Sequence, residues 1–493
     1  MKSPRGNLII RYLLAVSLAA TLTMPTLAEV QLPDSPHGRG AQLFIDALTE
    51  RPAGGYDTED VEEAFAPGII ERNGTQRLVQ ILEMLHEDLF DGSDPQLLEL
   101  TREGDHLTLV IEGAHMAARM DLDLSPEHGF RVDGIAVRPS GSGPAIPEVA
   151  ESEIPAAIAD FIDELAAEDQ FSGAVLVAKD GEPVFAQAYG YADREMQRPN
   201  TLDTPINLGS INKMFTAIAI GQLAEAGLID FDATVGDYLP DFPLVEARAA
   251  TLDQVLTHTA GLGDYIGQDT FFDGPKDEVD SLSDLIPWVV EGGMVGAPGA
   301  QNRYSNSGPV VMGLILEAVT GQDYYEYMRE HVYGPAGMVN SDSYAYGEQP
   351  AAGVAIGYHR ERPDQPRESD RGWHPRMGSA AGGGYASAND MLRLSQALMD
   401  DTLLSREMRE TLWTPRTELG SDFSYGYYTG IHLFGDGNIR GVGHNGGAPG
   451  VNAEFLIFPE LGYTVIVLSN YSRAATPLAE WMFGMVAANA GHD

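Results

Sequence analysis

The chain has 493 residues, of which 43% are apolar and 21% are charged, a balance that is typical of globular proteins. Its formal net charge is −43, and so acidic a surface repels nucleic acid and anionic lipid, so we expect neither as a partner. The sequence contains no cysteine, which excludes disulfides, thiolate metal sites and a cysteine nucleophile. At this length we expect two domains, each large enough to bury a core.

The first 28 residues have the pattern of a secretory signal peptide. Three basic residues precede and enter an apolar run, which ends in small residues at Ala28 and includes no acidic residue. A membrane anchor is the alternative, but the apolar run is short and is interrupted by polar residues and Pro25. We therefore predict cleavage before Glu29, secretion into the periplasm or the extracellular space, and no membrane contact after cleavage.

Residues 29–137 predict a small α+β domain. Residues 38–90 have helical spacing, with Ala41, Phe44 and Leu48 on one face of a first helix. The apolar period then changes, and three strands are predicted at 106–112, 119–124 and 130–137. Helices followed by a run of strands are typical of an α+β domain. This order of elements resembles the nuclear-transport-factor-2-like (NTF2-like) cradle.

A segment rich in proline, glycine and serine follows and predicts a linker over 138–152. The second domain, 153–493, begins with a helix from about Glu153. Two apolar strands, 173–178 and 183–188, then flank the dipeptide Asp180-Gly181, which is a strong signal for a hairpin.

The far end of the chain repeats this arrangement. Apolar strands at 453–458 and 463–468 flank a turn at 459–462, and a last helix follows them. The part between the two hairpins, roughly 210–415, is predicted to be mostly helix and loop. Because strands lie at both ends, we expect the two hairpins to share one antiparallel sheet.

Ser210 and Lys213 stand at the start of a long helical pattern that follows Asn207-Leu-Gly. The dipole and the free amides of a helix N-terminus favour developing negative charge on Ser210, and Lys213 at i+3 lies on the same face. Lysine acts as a base only when neutral, which requires desolvation or a nearby cation to lower its pKa from about 10.4. A serine cap followed by a surface lysine is the alternative; it is weakened because the chain has only four lysines, but the short spacing alone does not decide between the two.

Two further motifs follow in a specific order. Arg303-Tyr304-Ser305-Asn306 precedes an apolar helix, and His444-Asn445-Gly446-Gly447 precedes the C-terminal hairpin. With Ser210 and Lys213 they resemble the signatures of the penicillin-recognising serine hydrolases: Ser-x-x-Lys, Tyr-x-Asn, and Lys-Thr-Gly or His-x-Gly. Segments 256–262 and 381–387 agree with the branch that contains class C β-lactamases, D-aminopeptidases, D,D-carboxypeptidases and related esterases. The resemblance covers about 155–488.

This resemblance implies a β-lactamase-like α+β fold, in which helices flank the antiparallel sheet. It implies that Ser210 attacks a carbonyl to form an acyl-enzyme, and that Lys213 and Tyr304 share the proton transfers as one coupled unit. Which of the two is the base stays open. The alternative for Tyr304 is an ordinary aromatic residue before a buried helix.

Other residues receive roles from the same resemblance. Asn306 is expected to orient either the substrate amide or the lysine. His444 supports the proton network or contacts the substrate, unless it serves only as a loop residue. The backbone amides of Ser210 and Gly447 are expected to form the oxyanion hole, with Gly446 beside them in the substrate-binding segment. We interpret His258 as structural and Gly382–Gly384 as turn formers.

The function predicted from these residues is acyl-enzyme hydrolysis of a small ester or a D-peptide-type amide, with β-lactam hydrolysis less favoured. The α/β-hydrolase motif Gly-x-Ser-x-Gly, the zinc motif His-Glu-x-x-His and the nucleotide-binding loops are all missing, so we expect no metal and no cofactor. One alternative is a weak or inactive penicillin-binding-like protein that holds a peptide or small ligand in the same cleft. Another is a second function for residues 29–145, although no polar cluster there supports it.

Overall fold

The fold was analysed in a computed structural model. It describes residues 32, 35–49, 55–73, 75–86, 96–112, 117–139, 146–268, 270–271, 274–345, 353–360, 365–370, 373–419, 422–435 and 437–491. The predicted signal peptide lies outside the described residues, and so does the middle of the predicted linker.

The N-terminal part consists of helices followed by an antiparallel sheet. The helices are α1 (Pro36–Thr49), α2 (Thr58–Ala64), α3 (Pro67–Asn73) and α4 (Thr75–Leu85). The strands, which pair in chain order, are β1 (Gln96–Glu103), β2 (His106–Glu112), β3 (Ala117–Ser125) and β4 (Arg131–Pro139). The helical spacing at Ala41, Phe44 and Leu48 correctly identified the buried face of α1.

Three of these strands were predicted, whereas β1 was not. Its leucines at 97, 98 and 100 do not alternate with polar residues, because a bulge between Leu97 and Glu99 shifts the strand register. The helices and the sheet bury a core of their own, centred on Phe44, Phe65 and Leu122. The NTF2-like resemblance and the domain boundaries stay predictions.

The second part of the chain is built on an eight-stranded antiparallel sheet in the order β13-β14-β15-β16-β17-β18-β5-β6. Its strands are β5 (Gly173–Lys179), β6 (Glu182–Tyr189), β13 (Thr417–Glu418), β14 (Phe423–Tyr425), β15 (Gly430–Phe434), β16 (Ile439–Ala448), β17 (Val451–Phe458) and β18 (Tyr463–Ser469).

Both predicted hairpins are confirmed. The turn between β5 and β6 places Asp180 at φ 51° and Gly181 at φ 81°, the left-handed pair that a tight two-residue hairpin requires. Strand β18 pairs with β5 along its whole length, from Gly173 opposite Ser469 to Lys179 opposite Tyr463. The first and last hairpins therefore share one sheet, as expected.

Helices cover both faces of this sheet. On β5, Val175 and Val177 pack towards α5 (Ile154–Ala167) and α15 (Ala475–Asn489), whereas Ala174 and Leu176 face the larger core on the opposite side. Strands that are buried on both faces have continuous apolar sequences instead of alternating ones. This burial explains why β5 and β18 have nearly continuous apolar sequences.

The larger core is formed by the helical middle of the chain, as predicted. Its helices are α6 (Asn212–Glu225), α7 (Val235–Tyr238), α8 (Leu252–Leu256), α9 (Ile286–Gly292), α10 (Ser307–Thr320), α11 (Tyr324–Tyr327), α12 (Gly334–Ala336), α13 (Ala388–Met399) and α14 (Arg406–Leu412), with a π-helical segment at Met328–Tyr333. Short strands pair between them: β7 (Tyr191–Asp193) with β8 (Arg198–Pro199), β9 (Ile206–Asn207) with β12 (Tyr385–Ala386), and β10 (Tyr358–His359) with β11 (Glu368–Ser369). Helix α6 is buried on nearly every side.

Within the described ranges, no helix combines the length and the apolar character needed to cross a membrane.

The seam between β5 and β18 yields a stability prediction. A Cβ atom at Gly173 would lie 1.9 Å from the carbonyl oxygen of Leu468, so Gly173→Ala must push the two strands apart. We expect the substitution to lower the free energy of unfolding by about 1–3 kcal/mol, measured as an earlier midpoint of urea unfolding. Gly296→Ala is the matched control, because its Cβ would meet no atom within 4 Å. Equal midpoints for the two variants would contradict the close approach.

Candidate active site

Ser210 lies in the middle of a single 3₁₀ turn, Gly209–Ile211, that leads directly into α6. The sequence folds sharply here because Gly209 adopts φ +50°, a conformation that costs glycine little. A side chain at Gly209 would also collide with the amide nitrogen of Gly447, 2.9 Å from the position of its Cβ. Ser210, the predicted nucleophile, therefore lies at a helix N-terminus against strand β16.

Lys213 lies on the first turn of α6 and is completely buried. Its Nζ atom is 3.0 Å from Ser210 Oγ, 2.7 Å from Asn306 Oδ1 and 2.7 Å from the carbonyl oxygen of Ala381. The Asn306 and Ala381 oxygens only accept hydrogen bonds, so they occupy both N–H groups of a neutral amine. The lone pair of that amine is then directed at the hydroxyl of Ser210, which is the arrangement that a general base needs.

The protonation of Lys213 follows from this environment. Burial lowers the pKa of Lys213 to about 7, and the charge of Asp264 acts in the opposite direction. A substantial fraction of the amine is therefore neutral near pH 7. A lysine that acts as a base requires desolvation to lower its pKa, and the burial of this side chain in the structure has that effect.

Tyr304 borders both Ser210 and Lys213. Its phenol hydrogen-bonds Ser210, and Lys213 Nζ lies 4.7 Å from the centroid of its ring. The residue is 36% exposed, so one side of it is open to an incoming substrate. Desolvation raises the pKa of Tyr304 above its ordinary value, although the hydrogen bond to Ser210 opposes this shift. The phenol therefore stays protonated near neutral pH and can donate its proton.

Asn306 directly precedes α10 and contacts the lysine, one of the two roles that the sequence allowed. Its amide nitrogen donates to both carboxylate oxygens of Asp264, at 2.9 and 3.2 Å. Sequence reasoning missed Asp264. No spacing rule singles it out, because it meets Asn306 across 42 positions of the chain.

His444 lies within strand β16 and is buried. Its Nδ1 faces the carbonyl oxygen of Asn445 at 2.6 Å and must donate to it, so Nε2 accepts from the hydroxyl of Tyr425, also at 2.6 Å. Burial lowers the pKa of His444 to about 3, and the charge of Lys213 adds to this effect. A neutral imidazole with both nitrogens engaged lies 6.4 Å, ring to ring, from Tyr304. Its contacts in the structure place it beside the proton network; its catalytic role stays a prediction.

His258 is a structural support for Tyr304. Its ring centroid is 4.5 Å from that of Tyr304, and its carbonyl oxygen and Nδ1 accept the backbone amides of Arg303 and Ser305, on either side of the tyrosine. Burial lowers the pKa of His258 well below its usual value, so the ring is neutral. The interpretation of His258 as structural agrees with these contacts, although its partners were not evident from the sequence.

The predicted oxyanion hole lies where β16 approaches the Ser210 turn. A Cβ at Gly446 would fall 1.9 Å from the carbonyl oxygen of Leu208 and 3.0 Å from the Ser210 nitrogen, so only glycine permits this contact. The amides of Ser210 and Gly447 are thus carried on two touching backbone segments, and a Cβ at Gly447 would meet no atom within 4 Å. The geometry is compatible with two donors that face one open position.

The glycine segment 382–384 packs under this turn. The carbonyl oxygen of Gly384 accepts the Leu208 amide at 2.8 Å, and the Gly384 amide donates to Asn212 Oδ1 at 3.1 Å. These contacts hold the backbone on either side of Ser210 in place, which agrees with the interpretation of Gly382–Gly384 as turn formers. Among the described residues, no group of three or more histidine, aspartate or glutamate side chains is arranged to hold a metal ion.

Comparisons with known proteins cover the same part of the chain. Residues 158–486 match the family model described as Beta-lactamase. The esterase EstB of Burkholderia gladioli is 28% identical over 366 residues, which cover 64% of this chain and 91% of the esterase. A D-aminopeptidase of Cereibacter sphaeroides is 28% identical over 329 residues, which cover 65% of this chain and 60% of that protein.

A solved structure extends the comparison to three dimensions. The crystal structure of the penicillin binding protein from Bacillus halodurans is 32% identical, with a TM-score of 0.60, and the match covers 65% of this chain and 98% of that one. Together with the family match, it confirms both the resemblance and the fold class predicted from the motifs.

The pH dependence of activity should report the lysine. If neutral Lys213 is the base, kcat/KM for a nitrophenyl ester should rise about tenfold per pH unit below a midpoint near 7 and then level off. His444 cannot produce this limb, because its pKa of about 3 keeps it neutral throughout. The measurement is a pH–rate profile corrected for spontaneous hydrolysis. A rate that continues to rise past about pH 9 would assign the base to a Tyr304 phenolate instead.

Proposed function

Because the chain belongs to the Beta-lactamase family, we propose that it is a serine hydrolase that cleaves small esters or D-peptide-type amides through an acyl-enzyme on Ser210. The observation that carries this proposal is the set of hydrogen-bond partners around Lys213 Nζ, which fixes the direction of the amine lone pair. In the neutral amine, two fixed acceptors, Asn306 Oδ1 and the Ala381 carbonyl, take both N–H groups and leave the lone pair for the Ser210 hydroxyl, whereas the protonated amine donates to all three oxygens. A surface lysine behind a serine cap would have neither partner.

The first chemical step transfers one proton and forms one bond. Ser210 Oγ bonds to the carbonyl carbon while its proton passes to Lys213 Nζ, 3.0 Å away. The negative charge that develops on the carbonyl oxygen is stabilised by the amides of Ser210 and Gly447. One fixed donor of this kind is worth roughly 3 kcal/mol of barrier.

Collapse of the tetrahedral intermediate needs a proton at the leaving oxygen or nitrogen. The Tyr304 phenol is protonated and open to the cleft, so it donates to the leaving group and recovers a proton from the Lys213 ammonium beneath it. Water then attacks the acyl carbon while Lys213 accepts a water proton, and Lys213 passes this proton to Ser210 Oγ as the bond between Oγ and the acyl carbon breaks. Lys213 and Tyr304 thus act as one unit, with the lysine as base and the tyrosine as relay.

The substrate class rests on the relatives. They are named as an esterase, a D-aminopeptidase and a penicillin binding protein, and an ester, a D-aminoacyl peptide and a penicillin each contain a carbonyl carbon that a serine hydroxyl can attack. Ester cleavage and amide cleavage use the same attack but differ in the leaving group that Tyr304 must protonate. We further propose that the first 28 residues direct export, which would place the enzyme with periplasmic or extracellular substrates.

Removal of the nucleophile tests the reaction class. Ser210→Ala should abolish hydrolysis of a short-chain nitrophenyl ester, because Ser210 supplies the hydroxyl among the three oxygens that Lys213 Nζ contacts in the described site. Ser283→Ala is the control, since its hydroxyl is on the surface. Intact mass after treatment with a fluorophosphonate should increase by one adduct in the parent protein and the control only. Adduct formation without turnover of any substrate would favour the alternative, a penicillin-binding-like protein that is acylated but does not hydrolyse.

A substrate panel tests the finer assignment. Nitrophenyl esters, D-amino-acid amides, their L-enantiomers and a cephalosporin should be compared by kcat/KM on one enzyme preparation. We expect esters and D-amides to be cleaved at least about tenfold better than the β-lactam, because a β-lactam leaves its amine tethered beside the acyl bond and so requires a distinct deacylation step. A preference for the cephalosporin would overturn this order.

A further inference from the structure

Asp264 belongs to the loop that follows the segment 256–262 and is only partly exposed. Its carboxylate accepts the Asn306 amide nitrogen at 2.9 and 3.2 Å and the backbone amide of Ile266 at 3.0 Å. It does not reach Ser210 or Lys213 in any of these contacts. Its link to the chemistry is the side chain of Asn306.

A side-chain amide has a donor end and an acceptor end. A carboxylate only accepts, so Asp264 fixes the nitrogen of Asn306 on its own side and the oxygen on the side of Lys213. The oxygen then accepts from Lys213 Nζ at 2.7 Å. If the amide were reversed, its N–H would face the lysine, and the amine would lose one of the two acceptors that orient its lone pair.

The loop that carries Asp264 is fastened to the loop that carries Asn306. Ser305 Oγ donates to the carbonyl oxygen of Gly263 at 2.8 Å, and Ser307 Oγ accepts the backbone amide of Tyr265 at 3.1 Å. These hydrogen bonds flank the Asp264–Asn306 contact on both sides. The carboxylate is thus held in place, which a positioning role requires.

Charge gives Asp264 a second effect on the same amine. Its negative charge raises the pKa of Lys213, against the larger lowering by burial. The other titratable groups that act on this cluster are His258, His444, Tyr265 and Tyr304. The two histidines are neutral and the tyrosines stay protonated, so Asp264 supplies the negative charge in this set.

We propose that Asp264 is a positioning residue for the general base, which holds the Asn306 amide in the orientation that directs the lone pair of Lys213 at Ser210. This inference rests on the proposed function in one respect, the role of Lys213 as base. The coupling between Asp264 and Lys213 is a physical property that can be measured without any substrate.

The first test uses the rarity of lysine. With [ε-¹³C]lysine, the four lysines of the chain give few NMR signals, and Lys213 is the one that is absent from the Lys213→Arg protein. Asp264→Asn keeps the shape of the side chain and removes its charge, so the titration midpoint of Lys213 should fall by on the order of one pH unit. Asp203→Asn is the matched control, because Asp203 also accepts an asparagine amide, that of Asn389 at 2.8 Å, on the exposed surface. The control should leave the midpoint unchanged.

Kinetics provide the second test. In Asp264→Asn the rise of kcat/KM on the acidic side of the pH profile should move to lower pH by the same amount as the NMR midpoint. The reason is that a lysine with a lower pKa loses its proton at a lower pH. Asp264→Leu cannot hold the amide, so kcat should fall about tenfold to a hundredfold while KM changes much less. Thermal unfolding of each variant checks that the protein is folded.

The outcomes separate the two claims. An unchanged kcat in folded Asp264→Leu would overturn the positioning role, and an unchanged Lys213 midpoint with an unmoved rise of kcat/KM on the acidic side in folded Asp264→Asn would overturn the charge coupling. A shifted midpoint in a protein that shows no Ser210-dependent hydrolysis and no fluorophosphonate adduct would support the coupling and reject the proposed function.

Discussion

The burial of Lys213 is the constraint on which the rest of the site depends. A charged amine in the interior is costly, so the protein either neutralises it or surrounds it with acceptors. Here both occur: two oxygens hold the N–H groups, and desolvation brings the pKa close to neutrality. The same burial that would destabilise an ordinary lysine supplies the neutral amine that the proposed mechanism requires of Lys213.

The sheet and the helices contribute distinct parts of this arrangement. The 3₁₀ turn Gly209–Ile211 carries Ser210 and leads directly into α6, which carries Lys213, so the separation of the two side chains is fixed by helix geometry. Strand β16 brings Gly446 and Gly447 against the Ser210 turn, where only glycine permits backbone contact. The loops at 258–265 and 303–307 complete the site, and they are hydrogen-bonded to each other. The positions of the site residues are therefore fixed by contacts between backbone segments as well as by contacts between side chains.

Local signals explain what could be predicted from the sequence. The turn at Asp180-Gly181 and the Ser210–Lys213 spacing lie within a few residues, so the chain itself fixes their geometry. Strand β1 was missed because its bulge breaks the alternation of side chains. Asp264 and Tyr425 were missed because their partners, Asn306 and His444, approach only in the folded state. A sequence motif identifies the reacting groups but not the residues that orient them.

The pairing of β5 with β18 has a consequence for how the molecule folds. Gly173 lies opposite Ser469, so the centre of the sheet joins segments from the two ends of this part of the chain. Closing so large a loop is entropically costly, and topologies dominated by distant pairings fold slowly. A ribosome must release β18 before the central seam can form at all. Until then β5 presents an unpaired edge, and unpaired strand edges of this kind make incomplete chains prone to aggregation.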